Sequence, residues 1–231
     1  MLKTLFLLVV FNFFSMSYAS TIQISLQHVF GEEPLVLVDS EYALAQGQRI
    51  SLTRLKYYIG NVMFTFSDGR TYSEGVNYHL IDLEQPESLV IQFNNVPEGQ
   101  LNAVTFSIGV DSLSNSNGLM DGDLDPLKGM YWAWSSGFIN FKLEGTCIRG
   151  KTTTEFTYHI GGFISPNESF QVKSIVLDRT VKREPLMLAI QVDLKELFIE
   201  NKRGDLTKIM SPSLIAKKFS AQLPSIFRIK K

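Results

Sequence analysis

The chain has 231 residues, with 22 basic and 23 acidic side chains and a formal net charge of −1. Nucleic-acid-binding proteins normally carry an excess of basic side chains, so this balance argues against a nucleic-acid partner. The single cysteine, Cys147, cannot form an internal disulfide, and its place after a strand-like run favours a buried thiol.

The first 19 residues have the pattern of a secretory signal peptide. Lys3 precedes an apolar run over residues 5–14, and Ser17 and Ala19 are small enough for signal peptidase. The run is shorter than the roughly 20 residues that a membrane-spanning helix needs. We therefore expect cleavage near Ala19, a periplasmic or secreted protein, and no membrane span.

Residues 20–231 are sufficient for one all-β domain with a buried core. Apolar and polar residues alternate in six segments, which predicts strands that bury one face. The alternating sets are Ile22, Ile24, Leu26; Val62, Phe64, Phe66; Leu89, Ile91, Phe93; Val104, Phe106, Ile108; Phe156, Tyr158, Ile160; and Leu188, Ile190, Val192, Leu194. Turn signals between them favour a sandwich or barrel, and we expect an antiparallel β-sandwich.

Helix is predicted only near the C-terminal end, at residues 193–202 and 212–219. In the segment SPSLIAKKF, Ser211 is the expected N-cap and Pro212 the first helical residue. One or two short helices are therefore expected to complete the β-sandwich.

The segment MDGDLDP places Asp121, Asp123 and Asp125 at alternate positions, as in the first half of a calcium loop. It lacks the glycine and the closing glutamate of such a loop, so a turn into Pro126 is the simpler interpretation. Three neighbouring carboxylates repel one another unless a cation or solvent screens them. The segment therefore raises calcium as a second metal hypothesis.

The segment GMYWAWSSGF contains both tryptophans of the chain, Trp132 and Trp134. In an extended segment these two side chains project from the same face. A pair of indoles on one face usually packs into a core, but an exposed pair stacks on sugars. A carbohydrate-binding or structural interaction module with an exposed tryptophan pair is therefore an alternative function.

The three histidines, His28, His79 and His159, show no short metal-ligand spacing. His28 continues the inward-facing series of its strand, which predicts a hydrogen-bonded core histidine, and His79 is typical of an ordinary strand residue. His159 is expected on the face opposite the apolar residues of its strand, just before a Gly-Gly turn. A strand-end histidine can reach a ligand, and neutral imidazole is a common metal donor.

No motif supports an enzyme. The sequence has no Gly-x-Ser-x-Gly elbow, no phosphate-binding loop and no His-Glu-x-x-His. Cys147 and His159 are close in sequence and suggest a Cys–His nucleophile, but nothing nearby supplies an orienting group. A binding protein is expected, with a hydrolase of unrecognised catalytic residues as the alternative.

Five segments occur in an order that resembles the MbnP-like copper-binding protein family, whose members include MbnP and MopE. They are ISLTRLKYYIGNVMF, YHLIDLEQPES, VPEGQLNAVTFSIGVDS, LDPLKGMYWAWSSGFINFKLEG and FTYHIGG. The resemblance extends from about residue 21 to the final MSPSLIAKKF and IFRI segments, and is most specific at GMYWAWSSGF, KLEG and YHIGG. It implies an exported β-rich protein that binds or handles copper in the periplasm.

The resemblance also implies a Cu(I) site built from histidine and from kynurenine, which a partner dihaem enzyme resembling MauG makes from tryptophan. Trp132 matches the modified tryptophan and His159 matches a histidine ligand. An indole N–H has no lone pair to donate, whereas the amino group of kynurenine has one. Copper binding and tryptophan oxidation are therefore expected to depend on each other.

This sequence departs from the family pattern at Trp134, where the copper-binding type has a second histidine. Cu(I) is soft and accepts imidazole or thioether donors. A further donor would have to come from Met130, Cys147 or His28.

Overall fold

The computed structural model describes residues 20–118, 120–135, 137–199 and 208–230. The predicted signal peptide at residues 1–19 lies outside the described residues and stays a prediction.

Strands dominate the described residues. They are β1 (Ser20–Phe30), β2 (Glu33–Pro34), β3 (Tyr42–Ala43), β4 (Gln48–Phe66), β5 (Thr71–Ser73), β6 (Tyr78–Asp82), β7 (Val90–Val96), β8 (Gly99–Ile108), β9 (Tyr131–Trp132), β10 (Gly137–Arg149), β11 (Thr152–Gly161), β12 (Gln171–Val181), β13 (Leu186–Asp193) and β14 (Phe227–Ile229). The α-helices are α1 (Ser112–Ser116), α2 (Glu196–Ile199) and α3 (Leu214–Ser220). Short 3-10 helices occur at Ala45–Gly47, Pro86–Leu89, Gly122–Leu124, Pro126–Lys128 and Leu223–Ile226.

The strands form two sheets. The smaller has the order β14-β13-β1-β2, with β7 also paired to β1. The larger has the order β11-β10-β4-β8-β12, with β3, β5 and β6 paired to β4 and β9 paired to β10. The expected β-sandwich is confirmed, and most pairs are antiparallel. The β1–β13 pair is parallel, since these strands are far apart in sequence and no hairpin constrains their direction.

The main core lies between the two sheets and contains most of the predicted alternating residues. Ile22, Phe64 and Ile160, for example, are 0% exposed. Leu89 is the exception, because it ends the 3-10 helix Pro86–Leu89 and packs only partly buried against the core. Period-two alternation therefore identified the inward face of the sheets correctly.

A second, smaller core covers part of the outer face of the larger sheet. On β4, Tyr57 points into the main core, and the next residue, Tyr58, points into this second core. Its buried members are Tyr58, Tyr78, Leu80, Val110, Leu124, Met130, Trp132, Phe138 and Ile139. The chain between β8 and β10 supplies several of them, so it folds over the sheet and carries the tryptophan segment there.

The helices differ from the sequence expectation in their bounds. α2 covers Glu196–Ile199 of the predicted 193–202 helix. The predicted start is wrong, because Asp193 ends β13 and residues 194–195 form a turn, while residues 200–202 lie outside the described ones. α3 begins at Leu214 rather than Pro212, because the Ser213 side chain accepts a hydrogen bond from the Ala216 N–H at 3.1 Å. No helix of the described ranges is long and apolar enough to cross a membrane.

Candidate metal centre

The tryptophan segment forms a hairpin. Trp132 on β9 pairs with Gly137 on β10, and the chain turns over residues 133–135. Trp132 is 6% exposed whereas Trp134, in the turn, is 67% exposed, and their ring centroids lie 5.6 Å apart at an angle of 43°. The prediction that both indoles share one face of an extended strand is wrong, because the chain turns directly after Trp132. The flat exposed pair that sugar stacking requires is therefore not formed.

The Trp132 ring packs against Gly161 at the end of β11. A Cβ atom at Gly161 would lie 2.6 Å from Trp132 Cζ3, closer than side-chain atoms can approach, so only glycine fits there. Side chains two residues apart on a strand project from the same face, with a separation of about 7 Å along the strand. His159 therefore projects from the same face of β11 as the one that the indole covers at Gly161, one side-chain position away along the strand.

His159 is held by a carboxylate. Its Nε2 donates to Glu144 Oε1 at 2.7 Å, and Glu144 also accepts from Arg54 Nη1 at 3.2 Å. Burial lowers the pKa of His159, and the hydrogen bond to Glu144 opposes this by raising it. In the neutral form with the proton on Nε2, the lone pair lies on Nδ1, which has no hydrogen-bond partner among the described residues. Metal-binding histidines commonly use this arrangement, in which a carboxylate holds one nitrogen and the metal takes the other.

Lys142 lies directly opposite His159 in the β10–β11 register. Its ammonium donates to the carbonyl oxygen of Gly129, and burial lowers its pKa. Met130, the residue after Gly129, is fully buried in the second core with Trp132. Its carbonyl accepts a hydrogen bond from the Ile139 N–H at 2.8 Å. Lys142 thus ties the start of the tryptophan hairpin to the strand that faces His159.

His28 lies on the other side of the larger sheet, in the main core. Its Nε2 is 2.9 Å from the Tyr57 hydroxyl, whereas its buried Nδ1 has no hydrogen-bond partner among the residues that the structure describes. Burial lowers the pKa of His28 to about 4. Tyr57 faces the main core, and His159 faces outward, so the structure does not bring the two histidines together.

The three aspartates of MDGDLDP do not converge. Asp123 Oδ2 accepts from the Leu80 N–H at 2.8 Å and its Oδ1 accepts from Lys128, while Asp125 Oδ1 accepts from the Leu127 N–H at 2.8 Å. Asp121 is the N-cap residue of the 3-10 helix Gly122–Leu124, and its side chain makes no cap hydrogen bond. In the part of the chain that the structure describes, no group of three or more His, Cys, Asp or Glu side chains is placed to hold a metal ion. Calcium binding stays a prediction, and Asp123 and Asp125 brace the loop.

Cys147 is buried, as expected, with its Sγ 3.7 Å from Gln48 Oε1. Cys147 pairs with Thr154 of β11, whereas His159 pairs with Lys142. Lys142 lies five positions from Cys147 along β10. That separation is about 17 Å, and the two side chains project from opposite faces of the sheet. The hypothesis of a Cys–His nucleophile is therefore wrong.

The choice of Trp132 and His159 as ligands stays a prediction. Sequence reasoning missed three residues around them: Glu144, which bonds His159, Lys142, which lies opposite it, and Gly161, on which Trp132 packs. The segment FKLEG carried a usable signal, since its polar residues alternate with buried Phe141 and Leu143 and must face outward.

The comparisons with known proteins agree with this architecture. The MbnP family model matches residues 19–214, which is most of the chain. The solved structure of MbnP from Methylosinus trichosporium matches with a TM-score of 0.53 and 13% identity, over 85% of this chain and 82% of that one. At this identity, the structural match shows a shared fold alone. A search of curated proteins finds no match. On the extent of the family-model match, the chain belongs to the MbnP family.

Proposed function

We propose that this protein is an exported, periplasmic copper-binding protein that holds Cu(I) between His159 and an amino nitrogen made by oxidation of Trp132. The observation that carries the proposal is the packing of the Trp132 indole on Gly161, on the strand face from which His159 projects. The protein acts in copper binding or handling and not as a catalyst.

The surroundings of His159 support a role as a ligand. Glu144 fixes the orientation of the ring and holds the proton on Nε2, which leaves the Nδ1 lone pair for a metal. Burial favours the neutral form of the ring, which is the only form with a lone pair to donate to a metal. Cu(I) is a soft ion that imidazole nitrogen binds well.

Trp132 fits the site only after modification. An intact indole offers an N–H donor and no lone pair, so it cannot serve as a ligand. Opening of the indole to kynurenine by a MauG-like dihaem enzyme would supply an amino nitrogen beside His159. Met130 is the remaining candidate donor, since its thioether is buried in the same second core as Trp132.

The role of His159 is tested by Cu(I) titration against a competing chelator, on protein from the native host. His159→Ala should weaken Cu(I) binding by more than about tenfold, because a direct donor is lost. Glu144→Gln should weaken binding by about tenfold, because the ring loses its anionic partner.

His79→Ala is the matched control. His79 also bonds a glutamate, Glu74, at 3.2 Å, but it lies on β6 away from Trp132. The His79→Ala variant should bind Cu(I) with the same affinity as the protein without a substitution. Unchanged affinity in His159→Ala, with a loss of thermal stability, would show that His159 is structural and would refute the proposal.

A further inference from the structure

A short segment at residues 208–210 runs beside the strand that carries His159. It lies parallel to β11, on the side opposite to β10, with Ile209 paired to Tyr158. The His159 N–H donates to the Ile209 carbonyl at 2.7 Å, and the Ile209 N–H donates to the Thr157 carbonyl at 2.8 Å. These two hydrogen bonds fix the register of the segment against β11.

The register places Met210 next to His159 on the outer face of the larger sheet. Ile209 and Tyr158 are both buried in the main core, with 7% and 3% exposure. Successive side chains alternate between the two faces, so the residues that follow them, Met210 and His159, point to the other face. Paired strands lie about 5 Å apart, so these two side chains start from neighbouring positions.

The side chain of Met210 can turn toward the candidate metal centre. It is 51% exposed, and a methionine side chain is unbranched, with three rotatable bonds. The segment follows β11 to its end, since a Cβ atom at Gly162 would lie 3.2 Å from Pro212 Cβ. The preceding residue, Gly161, is the one on which the indole of Trp132 packs. Met210 therefore borders both His159 and the strand end that Trp132 covers.

The proposed Cu(I) site is short of one donor. The nitrogens of His159 and of the modified Trp132 supply two ligands, and Trp134 occupies the position where the family pattern has a second histidine. Thioether sulfur is a soft donor that suits Cu(I). Met130 also has a thioether but is 0% exposed in the packed second core, whereas Met210 lies at the surface next to His159. Met210 is therefore the better-placed sulfur.

We propose that Met210 is a ligand of the copper site, and that its thioether binds Cu(I) together with His159 and the modified Trp132. This inference rests on the proposed function and adds a donor to the same site. Glu144 bonds His159 from the β10 side, so Met210 reaches the site from the opposite side of β11 without displacing that carboxylate. A thioether ligand also makes the site selective for Cu(I), because hard divalent ions prefer oxygen donors.

Cu(I) titration against a competing chelator, on protein from the native host, tests the donor. Met210→Leu removes the sulfur and keeps an apolar side chain of similar volume. It should weaken Cu(I) binding by about tenfold or more, and Met210→His, which supplies an imidazole nitrogen, should restore most of the affinity. Met187→Leu is the matched control, since Met187 is 63% exposed on β13 of the smaller sheet, and this variant should bind Cu(I) unchanged.

X-ray absorption at the copper edge gives a readout that does not depend on affinity. Copper in the Cu(I)-loaded protein without a substitution should have a sulfur neighbour, and copper in Met210→Leu should lack it. A sulfur neighbour that persists in Met210→Leu, or its absence from both proteins, would overturn the inference.

The His159→Ala variant separates this inference from the proposed function. If His159→Ala weakens Cu(I) binding and Met210→Leu does not, the assignment of Met210 is wrong and the proposed function stands. If neither variant weakens Cu(I) binding, the proposed function fails and the inference fails with it.

Discussion

His28 and His159 differ in what surrounds the imidazole. His159 bonds a carboxylate at the sheet surface. Among the described residues, His28 bonds the Tyr57 hydroxyl in the main core alone and its Nδ1 has no partner. A protonated ring at His28 would be a buried charge with no counter-charge beside it, so burial lowers its pKa to about 4. This residue therefore makes the stability of the fold sensitive to acid.

Lowering the pH from 6.5 to 4 should reduce the free energy of unfolding by about 3 kcal/mol through His28. In this window the unfolded state binds the proton and the folded state does not, so stability rises with pH. Urea denaturation across the window measures the slope, and His28→Gln, which cannot titrate, should flatten it. His159→Gln is the control, and its slope should stay steeper than that of His28→Gln. An equal slope in His28→Gln and the unmodified sequence would contradict this account.

At the scale of elements, the loop before the tryptophan hairpin depends on Asp123. Its side chain bonds the backbone of β6 and the ammonium of Lys128, and its carbonyl accepts from the Tyr58 hydroxyl at 3.2 Å. The aspartates that suggested calcium therefore have a structural role, in which one carboxylate fastens the loop over the second core.

Asp123→Ala should lower the free energy of unfolding by about 1–3 kcal/mol, because the half-buried Leu80 N–H loses its acceptor. Asp121→Ala removes the same chemical group from a position with no cap hydrogen bond, and should change stability by less than about 0.5 kcal/mol. Urea denaturation of both variants measures the difference. Equal losses in the two would show that Asp123 does not fasten the loop.

The sequence predicted strands best where apolar and polar residues alternate over several positions. The strands around Phe64 and Ile160 were predicted from their buried period-two pattern, which is a local property. The turn at residues 133–135 was missed because Ala-Trp-Ser contains no glycine or proline to signal it. α1 was missed because it has only five residues, and its Asp111 cap resembles an ordinary loop aspartate.

At the scale of the whole molecule, the larger sheet is covered on both faces. The smaller sheet covers the inner face, and the chain between β8 and β10 covers part of the outer face. Alternation predicts which residues point inward but not the register between strands. It therefore could not predict that the Glu144 side chain bonds His159 or that Trp132 packs on Gly161. The family resemblance, and not the pattern, selected Trp132 and His159 as partners.

The central claim is that Trp132 is converted to a copper ligand, and peptide mass spectrometry of copper-loaded native protein across residues 129–142 tests it most directly. The account predicts the mass of kynurenine at Trp132 and an intact Trp134, because Trp132 is buried against Gly161, on the face of β11 from which His159 projects, whereas Trp134 is exposed. Trp132→Phe should then lose the modification and about tenfold or more in Cu(I) affinity, whereas Trp134→Phe should keep both. An unmodified Trp132 in copper-loaded native protein would contradict the account.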